Sequence, residues 1–177
     1  PLAVPQVVMT IRPVADTQPA MCAKGSTAIT VTDTRWGRCD IKTVQLLANV
    51  LAKQQALEAG AGDAIFVAPD GVVREGTSSN LFLVTPAGLV THPLTPAILG
   101  GITRMQILAI AAEQGLAVSE RLFGREELHA AREVFFTGTI TEVLPIVAVD
   151  GRAIADGRPG PVTRRIFEAL RARMLAG

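Results

Sequence analysis

The sequence predicts an α/β domain built on a mixed sheet. Two observations carry that prediction: short apolar runs bounded by Gly, Pro and Asp turns recur along the chain, and segments of helical period alternate with them. At 177 residues the chain is long enough to bury a core as one domain. About half of it is apolar (49%) and the formal net charge is +1, an ordinary globular balance that offers no basic footprint for nucleic acid. No apolar run approaches the length that spans a bilayer. Two cysteines, Cys22 and Cys39, suggest no disulfide scaffold, and a reducing, cytoplasmic setting is expected.

The elements follow in order. Pro1 to Gln6 reads as a linker, and Pro13, Asp16, Gln18 and Pro19 continue that loose character. The sequence opens without Met and reads as the later part of a longer protein. Residues 7–12 and 28–32 have the composition of strands. Residues 43–59 are predicted helical, with Val44, Leu46, Leu47, Val50, Leu51 and Leu57 on the apolar face and Gly60 as the stop. A strand at 64–68 turns at Asp70-Gly71 and returns through Val72-Val73. The polar string 74–80 feeds an apolar strand at 81–84, and Pro86-Ala87-Gly88 turns it back into 89–91. A second helix, 103–114, carries Met105, Ile107, Leu108, Ala111 and Ala112 as apolar positions. Then come a strand at 118–122, a short helix at 125–131 and strands at 133–137 and 143–149. Asp150-Gly151 is a tight turn, and a last helix, 162–175, follows Pro159-Gly160-Pro161.

The residues with chemistry to offer lie between these elements. In Arg35-Trp36-Gly37-Arg38-Cys39-Asp40-Ile41-Lys42, cations and a helix start favour the neutral amine that a Schiff-base nucleophile needs. A capped helix start, with Asp40 as N-cap and a solvated lysine, explains the same residues. The polar string Glu75-Gly76-Thr77-Ser78-Ser79-Asn80 sits between two apolar strands, where each unpartnered group costs about 1–3 kcal/mol. Gly100-Gly101 lets the backbone approach a ligand, and the N–H groups of the helix that follows favour an anion. A plain turn with Thr103 as N-cap fits equally. His92 and His129 read as solvated or capping, because two distant histidines without a Cys or acidic cluster make no metal site. Trp36 and Cys39 read as packing.

Four motifs stand in one order: Arg35-Trp36-x-Arg38-Cys39-Asp40-Ile41-Lys42, Glu75 to Asn80, Leu99-Gly100-Gly101-Ile102-Thr103-Arg104, and Thr137-Gly138-Thr139-Ile140-Thr141-Glu142. Together they resemble the class IV, fold-type IV aminotransferases that use pyridoxal 5′-phosphate, most nearly the D-amino-acid (D-alanine) aminotransferase group. The resemblance runs from about Val7 onward. It implies a mixed sheet partly closed into a barrel with flanking helices, with residues 27–177 as the cofactor-binding large domain and residues 1–26 as linker and first strand. It implies that Lys42 is catalytic, holding the cofactor and moving a proton. Glu75 would pair with the pyridine nitrogen and keep the ring an electron sink. Ile102, Thr103 and Thr139 would hold the phosphate. Leu99 would pack on the ring, and Ser78, Ser79 and Asn80 would line the same region. Arg35 and Arg38 would sit near the cofactor or be structural.

The resemblance also implies a homodimer, amino-acid and 2-oxo-acid substrates, and neither nucleic acid nor membrane as partner. The family carries a smaller N-terminal domain ahead of this region, which this sequence lacks. In relatives that domain supplies an arginine to the phosphate and the groups that grip the substrate carboxylate. Leu47 stands where branched-chain aminotransferases usually place a Tyr, and the chain contains no Tyr, which favours the D-amino-acid group. Thr137-Gly138-Thr139 and Glu142-Val143 are nearer the branched-chain pattern. The implied activity is transamination between a D-amino acid such as D-alanine and a 2-oxo acid. The alternatives are a branched-chain L-amino-acid aminotransferase, an aminodeoxychorismate lyase, and an inactive fragment that keeps the fold and a dimer surface.

Overall fold

The computed structural model describes residues 6–176; the linker expected over the first five residues lies outside them. The expected strand at 7–12 does not form. Residues 6–17 carry neither helix nor strand, and Val7, Val8, Met9 and Ile11 are 79–101% exposed. Strand composition acts only through a partner ladder and a face to pack on, and this segment has neither among the described residues. Where more linker was expected, a short helix, α1 (Gln18–Lys24), opens with Pro19 in its first turn and is closed by Gly25, whose N–H donates to Met21 O at 2.7 Å. Pro at a helix start costs nothing, since its missing N–H would be unpaired there.

Next come β1 (Ser26–Thr32), α2 (Leu47–Glu58), β2 (Asp63–Val67), β3 (Val73–Gly76), β4 (Asn80–Thr85) and β5 (Gly88–Thr91). They are followed by α3 (Ile102–Glu113), β6 (Val118–Glu120), α4 (Arg125–Ala130), β7 (Glu133–Gly138), β8 (Glu142–Val149), β9 (Arg152–Ala153) and α5 (Pro161–Ala176). The sheet order is β3-β2-β1-β8-β7-β4-β5-β6, with β9 paired to β8. β1 pairs in parallel with both β2 and β8, β5 pairs in parallel with β6, and the remaining pairs are antiparallel. Val72 bridges to Gly124, and Val73 N–H donates to Phe123 O at 2.9 Å. These contacts tie the β3 edge to the chain just after β6, so the sheet curls into a half-barrel.

Alternation along the strands builds two apolar faces. Ala28, Ile65, Val67, Leu81, Leu83, Val134, Phe136 and Ile146 point inward, and α4 closes the barrel with Leu128. Phe82, Val84 and Phe135 point outward against Ile107, Ile110 and Ala111 of α3 and Ile166, Phe167 and Leu170 of α5. On the neighbouring outer face, Val31, Ala64 and Phe66 receive Ala52 and Ala56 of α2. Strands buried on both faces read as continuous apolar runs, which is why their composition marked them so clearly.

The helices depart from expectation. α2 begins at Leu47, four residues after the predicted start, and the face predicted to be buried is the outer one. Val44, Leu46, Leu47, Val50, Leu51 and Leu57 are 50–95% exposed, and Ala52 and Ala56 are buried instead. Small side chains let the helix lie close on β1 and β2, so the larger ones turn away. α3 begins at Ile102 with Gly101 at its N-cap and no capping side chain, so Thr103 is not the cap. Arg104, expected on no buried face, is 1% exposed, and its Nη2 donates to His92 O (3.0 Å) and Glu120 (2.5 Å), pinning α3 to the β5–β6 side. His92 is buried at 3% exposure rather than solvated, with Nδ1 2.8 Å from Pro93 O, and burial pushes its imidazole below the ordinary value. His129 lies in the last turn of α4, 3.8 Å from Asp150. Both cysteines are free and buried. No helix among the described residues is long and apolar enough to cross a membrane.

The start of α5 has a remote cap. Glu133, at the beginning of β7, accepts Val162 N–H (3.0 Å), Thr163 N–H (2.8 Å) and Thr163 Oγ1–H (2.7 Å). A carboxylate there satisfies free donors and complements the helix dipole. Glu133→Ala should lower stability toward urea by about 1–3 kcal/mol. Gly160→Ala should act in the same direction, because its added methyl would lie 2.0 Å from Glu133 Cδ. A Glu133→Ala midpoint equal to wild type would remove the cap from the account.

Candidate active site

At one end of the half-barrel four connections converge: the 33–46 segment after β1, the β3–β4 turn, the loop leading into α3 and the β7–β8 turn. They enclose a cleft of about 1000 Å³. Every residue singled out from sequence as a cofactor ligand lines it: Lys42, Glu75, Ser79, Asn80, Leu99, Ile102, Thr103 and Thr139. Ser78, Trp36 and Arg35 line it as well. Arg38 does not: it is exposed and pairs in bidentate fashion with Asp40 at 2.9 Å. Asp40 is thereby committed to a surface ion pair, of the kind worth little, and is not a helix N-cap.

Lys42 sits in the segment ahead of α2 rather than at the helix mouth. Its neighbourhood is fixed by Cys39, whose N–H donates to Pro96 O (2.8 Å) and whose thiol donates to Trp36 O (3.2 Å). Burial raises the Cys39 thiol above its ordinary value, consistent with a packing group. Among the described residues, no hydrogen bond or ion pair involves the Lys42 ammonium, so it stands on the cleft wall uncommitted.

Glu75 is the opposite case. It is 5% exposed and accepts from three donors: Arg35 Nη1 (2.5 Å), Asn80 Nδ2 (3.0 Å) and Leu99 N–H (3.2 Å). Asn80 Nδ2 also donates to Leu99 O at 2.7 Å. The Leu99 peptide is therefore held at both ends, its N–H by Glu75 and its C=O by Asn80, which fixes the approach to α3. Gly101 fits here because a Cβ at that position would lie 2.2 Å from Asn80 Oδ1. Arg35 in turn is gripped by Asp33 through Nε (3.0 Å) and Nη2 (2.9 Å), and Arg74 Nη1 donates to the same carboxylate at 2.6 Å. Arg35 Cζ lies 4.2 Å from the centre of the Phe66 ring. Of the two sequence readings of Arg35, the ion pairs favour the structural one, a brace behind Glu75.

Asp33 and Arg74 were not legible as site residues. The available signal was local: an arginine two positions after an aspartate on an extended segment, and a second arginine directly before Glu75. Thr137 stands in the fourth motif without an assigned role, and it lines the cleft. The Thr137 and Ser79 hydroxyls are buried with no hydrogen-bond partner, and each such group costs about 1–3 kcal/mol unless a ligand satisfies it. The cleft also holds an uncapped start of α3 and a buried acid. That donor set fits pyridoxal phosphate: an acid for a ring nitrogen, a helix N-terminus and hydroxyls for a phosphate, and an amine for an aldehyde.

Burial pushes the Glu75 carboxyl up to about 7, while Arg35 and the Leu99 N–H pull against it. A carboxyl that binds its proton more tightly in the folded chain contributes stability that is complete below its unfolded value, 4.5, and is lost as the pH rises through about 7. In the cofactor-free chain, wild type should therefore lose stability relative to Glu75→Gln between pH 4.5 and 7. The loss should amount to no more than about 3 kcal/mol. Parallel thermal-melting profiles of the two proteins across that window would contradict the assignment.

A model of the class IV amino-transferase family matches residues 2–149. The D-alanine aminotransferase of Bacillus licheniformis is 47% identical over 152 residues, covering 86% of this chain and 53% of that protein. The D-alanine aminotransferase of Staphylococcus haemolyticus is 43% identical over 146 residues, 82% of this chain and 51% of that protein. Among solved structures, the branched-chain amino acid aminotransferase from Thermobaculum terrenum in its PLP form is similar with a TM-score of 0.81 at 31% identity, covering 90% of this chain and 53% of that one. The branched-chain aminotransferase from Thermoproteus uzoniensis, solved with norvaline, gives 0.76 at 36% identity over 84% and 51%. The chain spans about half the length of the curated relatives it matches. From the convergence of its motifs on one cleft, the curled mixed sheet and these matches, the chain belongs to the class IV aminotransferases.

Proposed function

We propose that this chain forms the cofactor-holding half of a pyridoxal-phosphate-dependent transaminase that moves an amino group between a D-amino acid, such as D-alanine, and a 2-oxo acid. The observation that carries the proposal is the meeting of Lys42, Glu75 and the α3 start in one cleft, supported by the D-alanine aminotransferase relatives at 43–47% identity. The cofactor, when bound, supplies the electron sink that makes a Cα–H bond of the substrate acidic. The chain supplies everything else discussed below.

Lys42 Nζ is the group that would hold the cofactor's aldehyde carbon and, once released, carry a proton to and from the substrate carbon. Glu75, fixed by three donors, would hold the ring nitrogen and keep it protonated. A carboxyl poised near 7 gives up or keeps its proton at neutral pH according to what faces it. Ile102 and Thr103 at the start of α3, with Thr139 from the β7–β8 turn, would hold the phosphate through N–H and hydroxyl groups. Leu99 would pack on the ring. Asn80 would act by fixing Glu75 and the Leu99 peptide, and Ser79 and Thr137 would supply the hydroxyls the cleft leaves unpartnered.

A second reading, transamination of branched-chain L-amino acids, has a specific observation in its favour: the likeness to the Thermobaculum terrenum and Thermoproteus uzoniensis enzymes. Initial rates with D-alanine and with L-leucine, measured on the full-length protein, separate the two. We further propose a cytoplasmic homodimer; light scattering that finds a clean monomer at micromolar concentration would count against the dimer.

The first test is chemical. After incubation with pyridoxal phosphate and reduction with borohydride, mass spectrometry should find a pyridoxyl group on the Lys42 peptide. Lys42→Ala should lose both that adduct and the visible absorbance while keeping its melting transition. An adduct on another lysine, or unchanged absorbance in Lys42→Ala, would sink the assignment.

A further inference from the structure

We propose that Asp33 is a positioning residue which, through Arg35, sets how tightly Glu75 holds a proton. Its meaning for transamination rests on the function proposed above; the charge relay itself does not. Asp33 lies outside the cleft, with its carboxylate fully buried (0% side-chain exposure). It accepts from four donors: Arg35 N–H (3.0 Å), Arg35 Nε (3.0 Å), Arg35 Nη2 (2.9 Å) and Arg74 Nη1 (2.6 Å). Its backbone N–H is tied to Val67 O of β2 at 2.8 Å. The carboxylate is thus a fixed point in the sheet rather than a mobile counter-ion.

Arg35 has no freedom left. Nε and Nη2 face Asp33, Nη2 also donates to Ala97 O (3.1 Å), and Phe66 backs the guanidinium. Only Nη1 points to the cleft, and it meets Glu75. The charges alternate along the line Arg74, Asp33, Arg35, Glu75. In such a row each charge tempers its neighbour: Asp33 takes up part of the Arg35 charge, so Glu75 sees less than a full cation. Burial acts against an ionised Asp33, yet the Arg35 and Arg74 contacts hold its carboxyl below the usual range, and Arg35 is held more strongly protonated than an ordinary arginine. The remaining groups facing Glu75 are the Asn80 amide of β4 and the Leu99 N–H. Lys42 shares the cleft, and Cys39 and His92 sense the same arginines.

The test is a carboxyl 13C NMR titration of the cofactor-free chain labelled at glutamate, with Glu75 assigned by its absence in Glu75→Gln. Because no cofactor is present, failure of the relay and failure of the pyridoxal phosphate assignment are read separately. In Asp33→Asn, Arg35 turns its whole charge on Glu75, and the titration midpoint should fall by about one unit. In Arg74→Gln, Asp33 is left to neutralise Arg35 more fully, and the midpoint should rise. A chain merely loosened by either substitution would admit water and move both midpoints down, toward the ordinary carboxylate value. Opposite signs are therefore the signature. An unmoved or raised midpoint in Asp33→Asn, or an unmoved or lowered one in Arg74→Gln, overturns the proposal. Should Asp33→Asn not fold, Arg74→Gln decides the matter, since Arg74 is 25% exposed and its loss leaves Asp33 paired with Arg35.

Discussion

The burial of one carboxyl, Glu75, governs the arrangement around it. A buried carboxylate is tolerated only when its oxygens are bonded and a counter-charge is close. Arg35, Asn80 and the Leu99 peptide meet that demand, and each thereby fixes a different piece of chain: the segment after β1, the start of β4 and the approach to α3. The α3 start is in turn steadied from below by buried Arg104 on His92 O and Glu120. Hydrogen bonds that converge on an acid therefore fix one wall of the cleft, and Val44, Leu46, Val50 and Leu57 give it an apolar wall. The apolar clusters lie beneath and beside it, in the barrel and under the helices.

The strands were legible because continuous apolar runs and turn residues are local signals. Asp70-Gly71, Pro86-Ala87-Gly88 and Asp150-Gly151 each fell where the chain reverses. The candidate site was legible through the family resemblance that four motifs carry, and the topology gathers those four stretches around one cleft. What failed depends on distance or on a partner. Periodicity placed a leucine-rich face on α2 but could not tell which face meets the sheet, and Ala52 and Ala56 won because the sheet lies close. Residues 7–12 have strand composition and no ladder. Asp33 and Arg74 join Arg35 and Glu75 only after β1, β2 and β3 are side by side.

One feature of the surface stands apart from the packed sheet. Of the large apolar side chains on α2 and just ahead of it, Val44, Leu46, Val50 and Leu57 line the cleft, whereas Leu47 and Leu51 and the apolar residues before α1 are exposed away from it. Exposed apolar patches of that kind mark contact surfaces. The chain also spans about half the length of its curated relatives. The family fold is present, with the candidate cleft lined by side chains from all four of its connections and from α2.

The central position of β1 has a consequence for how the chain is made. Its parallel partner β8 begins at Glu142, and Thr30 is bonded to Asp150, 120 positions further along. During synthesis from the N-terminus, β1 can pair with β2 early on one side only. Its other edge stays open until nearly the whole domain has left the ribosome. Long-range parallel pairing is slow because loop closure must precede the contacts that reward it. An unpaired edge in the middle of a sheet is in the meantime an invitation to the wrong strand. The order of strands that builds the cleft therefore also makes the domain a late folder, completed only when its last strands emerge.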